Sequence, residues 1–199
     1  MSQPNVHPGG EADRGSAERT IPERIWVRWP SAWPRTTQSV LRLPRGSRVR
    51  RAMLRRAARI AFDAWNRGDF ELVPYIDDPE VETRIQHGPG LPVGFDAVYY
   101  GPRGHCRAME TWNEAWRDWR ADIEDIIEEG RNRVVVIARV YAEGSGSGIE
   151  LDEWAAARYT FREGRILRVD VAVGSDREGA LAALVEHGDD ALETAGLSE

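Results

Sequence analysis

The sequence contains no lysine: all 27 of its basic residues are arginine. This absence reads as a GC-rich codon signature and not as a function. There is one cysteine, Cys106, which excludes an internal disulfide and supplies no metal-ligand spacing. No apolar run approaches the roughly 18 to 20 residues that a membrane span needs. The opening MSQPNVHPGGEADRG lacks the basic-then-apolar pattern of a secretory signal, so the expected location is cytoplasmic.

The 199 residues, 41% of them hydrophobic, suit one domain with extensions. Charge is spread unevenly. Residues 1–60 carry 13 arginines against 4 acids, whereas residues 61–199 carry 14 against 29. Such a basic head is either a patch for nucleic acid or an anionic membrane, or a segment that packs on its own acidic body. The second reading is preferred, because the arginines interleave with tryptophans and lead straight into a helix. No nucleic-acid or membrane partner is therefore expected.

Three regions follow. Residues 1–20 are rich in Gly, Pro, Ser and acids and read as a disordered tail. Residues 21–47 form an arm with Trp26, Trp29 and Trp33. Pro30 and Pro34 are expected to bar a regular helix there. Three indoles carry too much apolar area to leave in water, so the arm is expected to lie on its own domain or on a partner. Residues 48–199 form the domain.

Ser47 is placed to cap a helix over 49–66. Met53, Ala57, Ile60 and Ala64 share one face, with Arg55, Arg56 and Arg59 opposite, and Gly68 stops the helix. A short helix over 70–76, a strand over 81–86, a Gly/Pro-rich loop and a helix opened by Pro102 come next. After them the chain reads as sheet: a partly alternating stretch over 119–129, then strands over 133–143, 149–161 and 165–173. A short helix over 176–185 and a tail close the chain. Helices followed by consecutive strands indicate an α+β fold. A long meander cannot stay flat, so it is expected to curve around the three helices and leave a cleft.

The stretch RRAARIAFDAWNRGDFELVPYIDDPEVET resembles the start of the SnoaL-like branch of the nuclear-transport-factor-2-like superfamily. YYGPRGHCRAMETWNEAW is similar to that family's turn and third helix, RVVVIARVYAEGSGSGIELDEW to its central hairpin, and YTFREGRILRVDVAVGSDREGALAAL to its last strands and following helix. The likeness covers about residues 48–197. It implies a cone: a curved antiparallel sheet wrapped around three N-terminal helices, here with an N-terminal extension. It also implies a deep apolar pocket and, often, a homodimer formed through the sheet. It does not imply one activity. Isomerases, polyketide cyclases, dehydratases, epoxide hydrolases and pure binding proteins share the fold, so function has to come from the site.

In the isomerase branch a general-base aspartate ends the first strand. The matching position here is Thr83, which cannot abstract a proton near neutral pH. His105, at the start of the third helix, is a candidate acid–base group if its face points inward. On the strand over 133–143 one set of side chains, Val134 to Ala142, is wholly apolar, and the other includes Arg139 and Tyr141. On the last strand Asp170 lies on the mixed face, near the position of the cyclase branch's aspartate. If the mixed faces line the pocket, Arg139, Tyr141, Asp170 and His105 form a catalytic set; otherwise they are solvent-side ion pairs. Trp65, Trp112, Trp116, Tyr159 and Thr83 are the candidate substrate contacts. His87, His105 and Asp96 match no compact metal-ligand spacing, so neither metal nor cofactor is expected. Two functions remain open: proton-transfer chemistry on a small apolar carbonyl metabolite, or a non-catalytic ligand-binding or dimeric partner module.

Overall fold

The structure, a computed structural model, describes residues 19–86 and 98–194, the side chains of 187–194 excepted. Most of the expected tail, together with His87 and Asp96, lies outside the described residues. In chain order the elements are α1 (Ile21–Arg28), α2 (Ala32–Arg42), α3 (Arg48–Asn66), a 3-10 turn (Phe70–Leu72), α4 (Val73–Ile76), β1 (Asp77–Ile85), β2 (Val98–Tyr100), α5 (Gly101–Ala115), β3 (Trp116–Glu129), β4 (Arg133–Gly144), β5 (Glu150–Arg162), β6 (Arg165–Gly174) and α6 (Arg177–Thr194). The six strands form one curved sheet in the order β2-β1-β6-β5-β4-β3.

The expectation of a wholly antiparallel sheet needs one correction. β3 through β6 pair antiparallel, but β1 pairs parallel with β6. The connectivity forces this. The chain leaves β1, crosses by β2 and α5 to the far edge, and returns by three reversals, so β6 arrives beside β1 running in the same direction. The tight turn between β5 and β6 uses Glu163 and Gly164, both at positive φ.

Helix α3 starts where its cap dictates: the Ser47 hydroxyl accepts from the Arg50 amide at 3.2 Å. It stops at Gly68, whose φ is 73°. The stripe read from the sequence is only half of its apolar surface. Leu54, Phe62 and Ala64 are buried, Leu54 and Phe62 within the main core of the sheet. Ala57 and Ile60 pack instead against Trp26 and Trp33 of the arm, while Met53 stays exposed.

The arm is helical, which corrects the expectation drawn from its prolines. Helix α1 ends at Arg28, before Pro30, and Pro34 falls in the first turn of α2. An amide in a first turn has no intrahelical acceptor, so proline costs nothing there. Trp26 and Trp33 meet edge to face with centroids 4.5 Å apart and are buried with Ile76, Val81, Ile166 and Val169. Trp29 departs from the expectation for the three indoles, with 59% of its surface in solvent.

Polar contacts fasten the same segment. The fully buried Glu23 accepts from the Thr20 amide and hydroxyl and pairs with Arg67 at 2.5 Å. Arg19 reaches Asp69 and Glu71. Burial pushes the Glu23 carboxyl upward, but the bonds from Arg67 and Thr20 outweigh it and hold the group below its ordinary value of 4.5. A depressed acid contributes stability above its unfolded pKa and loses it as pH falls through the folded one. The arm is therefore expected to loosen in acid, below about pH 4.5. Glu23→Gln should flatten that part of a melting-temperature-against-pH curve; an unchanged acid limb would refute the assignment.

The turn at Gly164 packs closely on the backbone of the arm. A Cβ there would lie 2.0 Å from the Pro34 carbonyl oxygen and 2.9 Å from the Gln38 amide nitrogen, both backbone atoms of α2. Gly164→Ala is expected to cost roughly 2 to 4 kcal/mol in a denaturation experiment, from overpacking plus positive-φ strain. Gly130→Ala, also at positive φ but with nothing within 4 Å, is the control. It should cost roughly 1 kcal/mol, the φ strain alone.

The sheet has two unlike faces. Val134, Val136, Ala138 and Val140 of β4 and Val169, Val171 and Val173 of β6 line the concave side. Their alternates Val135, Ile137, Ala156 and Ala172 are buried on the convex side under Ala180 and Leu184 of α6. Among the described residues no helix is long and apolar enough to cross a membrane.

Candidate functional site

Two adjoining cavities, of about 100 Å3 and about 80 Å3, lie between α3, α5 and the concave sheet. Phe62, Trp65, His105, Met109, Val136 and Tyr159 line both. The first extends to the arm, where Trp26, Trp33 and Thr37 close it. The second extends along β1 and β6 past Thr83, Ile85, Val169 and Val171, and is walled by Trp112 and Trp119. Nearly every contact offered is apolar, which selects a greasy guest.

His105 is the acid–base side chain common to both. Gly101 adopts φ 71° and Pro102 sits in the first turn, so α5 starts abruptly beside β1. Residues 105, 108 and 112 then share one face. His105 and Ala108 are buried, and Trp112 packs in the same layer. The His105 Nδ1 lies 2.8 Å from Oδ2 of Asp77, 28 residues earlier at the start of β1. Both side chains are almost wholly buried.

Burial raises the Asp77 carboxyl above its usual range; His105 pulls the other way without cancelling it. Oδ1 of Asp77 has no hydrogen-bond partner among the described residues. The neighbouring Asp78 behaves oppositely: the Arg162 guanidinium outweighs its burial and holds it low. A carboxylate on Nδ1 fixes the tautomer with hydrogen on that nitrogen and leaves the Nε2 lone pair basic.

Donors surround this pair. Burial first, and then Asp77, push the Tyr159 phenol well above its ordinary value, so it stays protonated. The Thr83 hydroxyl and the Trp65 indole nitrogen are buried without a partner among the described residues. Cys106 is no nucleophile: burial, with Asp77 and Glu110 nearby, pushes its thiol up to about 11.

The structure divides the residues that the sequence suggested. His105, Trp65, Trp112, Tyr159 and Thr83 come together around the cavities. Trp116 lines neither; it sits 5.9 Å from Trp112 in the core behind it. Asp170, Arg139 and Tyr141 lie on the convex side and do not converge. Asp170 is buried but accepts from Arg168 at 2.7 Å. Arg139 pairs with Asp152 and lies over the rings of Tyr141 and Trp154. The pleat explains the reversal: neighbouring residues point to opposite faces, and the wholly apolar set faces the hollow. Asp77 went unread because Asp77-Asp78-Pro79 looks like a helix stop. Only folding brings Asp77 to His105. No cluster of three metal-ligating side chains occurs among the described residues.

A sequence profile of the SnoaL-like domain matches residues 58–169. No curated protein sequence matches the chain. Among solved structures, an NTF2-like protein of unknown function from Burkholderia pseudomallei K96243 is similar at 18% identity and a TM-score of 0.53, over 60% of this chain and 89% of that one. Bal32a, from a soil-derived mobile gene cassette, gives 16% identity and a TM-score of 0.52, over 70% and 91%. TerC, co-crystallized with polyporic acid, gives 22% identity and a TM-score of 0.49, over 63% and 92%. At these identities the first two likenesses establish the fold alone.

Proposed function

Because the chain belongs to the SnoaL-like domain family, we propose that its hollow takes a small apolar carbonyl compound and that His105 moves a proton on it. The observation that carries this reading is the buried Asp77–His105 pair at the junction of two greasy cavities. Nε2 abstracts the proton from the carbon beside the carbonyl. The C–H pair becomes the enolate π bond, and the carbonyl pair moves to oxygen. The Tyr159 hydroxyl, the Thr83 hydroxyl and the Trp65 N–H are the donors available to that oxygen. Asp77 stabilises the imidazolium, which returns the proton to a second carbon, to a leaving hydroxyl, or to the alkoxide formed when the enolate carbon closes on a second carbonyl. Isomerisation, cyclisation and dehydration are all variations on that transfer.

A non-catalytic binding role is the second reading. It is favoured by the outward placement of Arg139, Tyr141 and Asp170, which leaves, among the described residues, the Asp77–His105 pair and Asp69, itself paired with Arg19, as the charged groups at the cavities. Incubation with 1-tetralone in deuterium oxide separates the two. Protein-dependent deuterium incorporation beside the carbonyl, read by mass spectrometry, supports chemistry. Saturable binding without incorporation supports the binder. Neither binding nor incorporation, for this ketone and for apolar compounds extracted from the purified protein, would remove both.

A further inference from the structure

The outward side of the arm presents a surface that the cavity does not use. The described residues 19–60 hold 12 arginines and a single acid, Glu23, which is fully buried and paired with Arg67. Arg50 is buried, and Arg19 and Arg55 pair with acids of the domain; the other nine arginines are exposed and dominate what solvent meets there. Apolar groups stand among them. On α1, Ile21, Arg24, Ile25, Arg28 and Trp29 fall at i, i+3, i+4, i+7 and i+8 and are all exposed. Ile21 has 73% and Trp29 59% of its surface in water. This is one helical face, opposite the buried Glu23 and Trp26. Helix α3 continues the pattern with exposed Val49 at 60% and Met53 at 39%. A groove lined by Pro22, Trp26, Thr36, Met53 and Arg56 runs between the three helices, beside this face.

We propose that this face docks on an anionic lipid bilayer. Arginine side chains match phosphate headgroups in charge, and each basic group near such a surface adds to affinity. The indole and the aliphatic side chains enter the boundary between headgroup and acyl chain, as on an interfacial amphipathic helix. A nucleic-acid groove would need the arginines but offers nothing to Ile21, Ile25 and Val49. That asymmetry decides between the two anionic partners. Packing of the arm on its own domain leaves this outward side uncovered: Trp26, Trp33 and Glu23 turn inward, while Trp29 does not. Docking by this face is independent of whether the cavity is catalytic.

The test is flotation of the full-length protein with phosphatidylcholine vesicles, with and without about one-third phosphatidylglycerol, at low and high salt. Binding is expected only with the anionic lipid and should weaken as salt rises. Arg28→Ala and Arg56→Ala should each weaken it roughly fivefold. Trp29→Ala should weaken it roughly tenfold. None of these side chains is buried, so the melting temperature should not move. Equal binding to neutral vesicles, no vesicle binding, or variants that float like the parent would overturn the proposal. So would duplex DNA bound more tightly than vesicles and indifferent to Trp29→Ala, which would make the face a nucleic-acid site. A concentration-dependent dimer abolished by Trp29→Ala would assign the face to a second copy.

Discussion

His105→Gln is expected to slow deuterium incorporation into a bound ketone by roughly 100- to 10,000-fold, the range of a positioned general base. Glutamine fills most of the imidazole's volume and keeps a polar end toward Asp77, but has no nitrogen that takes a proton near neutrality. Ligand affinity should change little, because the walls of both cavities are otherwise apolar. The pattern is therefore a loss in rate without a matching loss in binding.

Asp77→Asn sharpens the test. An amide donates where the carboxylate accepted, which moves the imidazole hydrogen to Nε2 and removes the basic lone pair from the cavity side. Rate should fall roughly 100-fold or more. Stability should move the other way. Burial raises the folded pKa of Asp77 above 3.8. A raised acid contributes stability at low pH that is lost as pH rises through the folded value, so at neutral pH this carboxyl weighs against the fold. Asn removes that penalty. Asp77→Asn should thus unfold no more easily than the parent at pH 7 and possess a flatter stability profile between the ordinary and raised values. A variant that loses stability and retains exchange would show Asp77 to be a structural group.

Arg50→Ala should produce the largest loss of stability, roughly 3 to 5 kcal/mol. The Arg50 side chain is fully buried. One terminal nitrogen donates to the Leu41 carbonyl at 2.5 Å and the Leu43 carbonyl at 3.2 Å, and the other to the Arg131 carbonyl at 2.9 Å. Its Nε lies 2.7 Å from a Glu128 carboxylate oxygen, and that carboxylate is itself mostly buried. One guanidinium therefore joins the end of the arm, α3, and the turn between β3 and β4. Truncation leaves three carbonyls without their donor and a mostly buried carboxylate without its countercharge in a dry place. Lysine should not restore the loss, because an ammonium cannot present the planar fork. Arg55→Ala, whose exposed side chain pairs with Asp125 at 3.2 Å, is the contrast and should cost under roughly 1 kcal/mol. Chemical denaturation of the three variants checks the ranking.

Arg50 also shows how far charge counting reaches. In the sequence it is one arginine in a basic stretch, equivalent to Arg48 or Arg51. In the fold it is a core residue, whereas those neighbours are exposed. The capping serine and the glycine stop at 68 were legible because each depends on a few adjacent residues. Trp65, Trp112 and Tyr159 stood out in the sequence only as large aromatics suited to a pocket wall; that they line the cavities is a fact of the fold. The prolines of the arm misled because a proline is tolerated at the start of a helix and outside one. Two cuts in the chain were read as a bar to helix when they mark the boundaries between two.

The order of the long elements from α3 to α6 and the α+β class were determined by the sequence itself, because periodicity, caps and turns are short-range and repeat along the chain; the apolar hollow was implied by the family resemblance. Which face of the sheet looks into that hollow was decided by the tertiary structure alone. A strand carries two alternating sets of side chains, and only the helices packed against it select one. The same holds for the parallel seam between β1 and β6, for the outward turn of Trp29, and for the meeting of Asp77 with His105. Each is a relation between segments distant in the chain, set by where the closed core leaves room, and no local pattern encodes it.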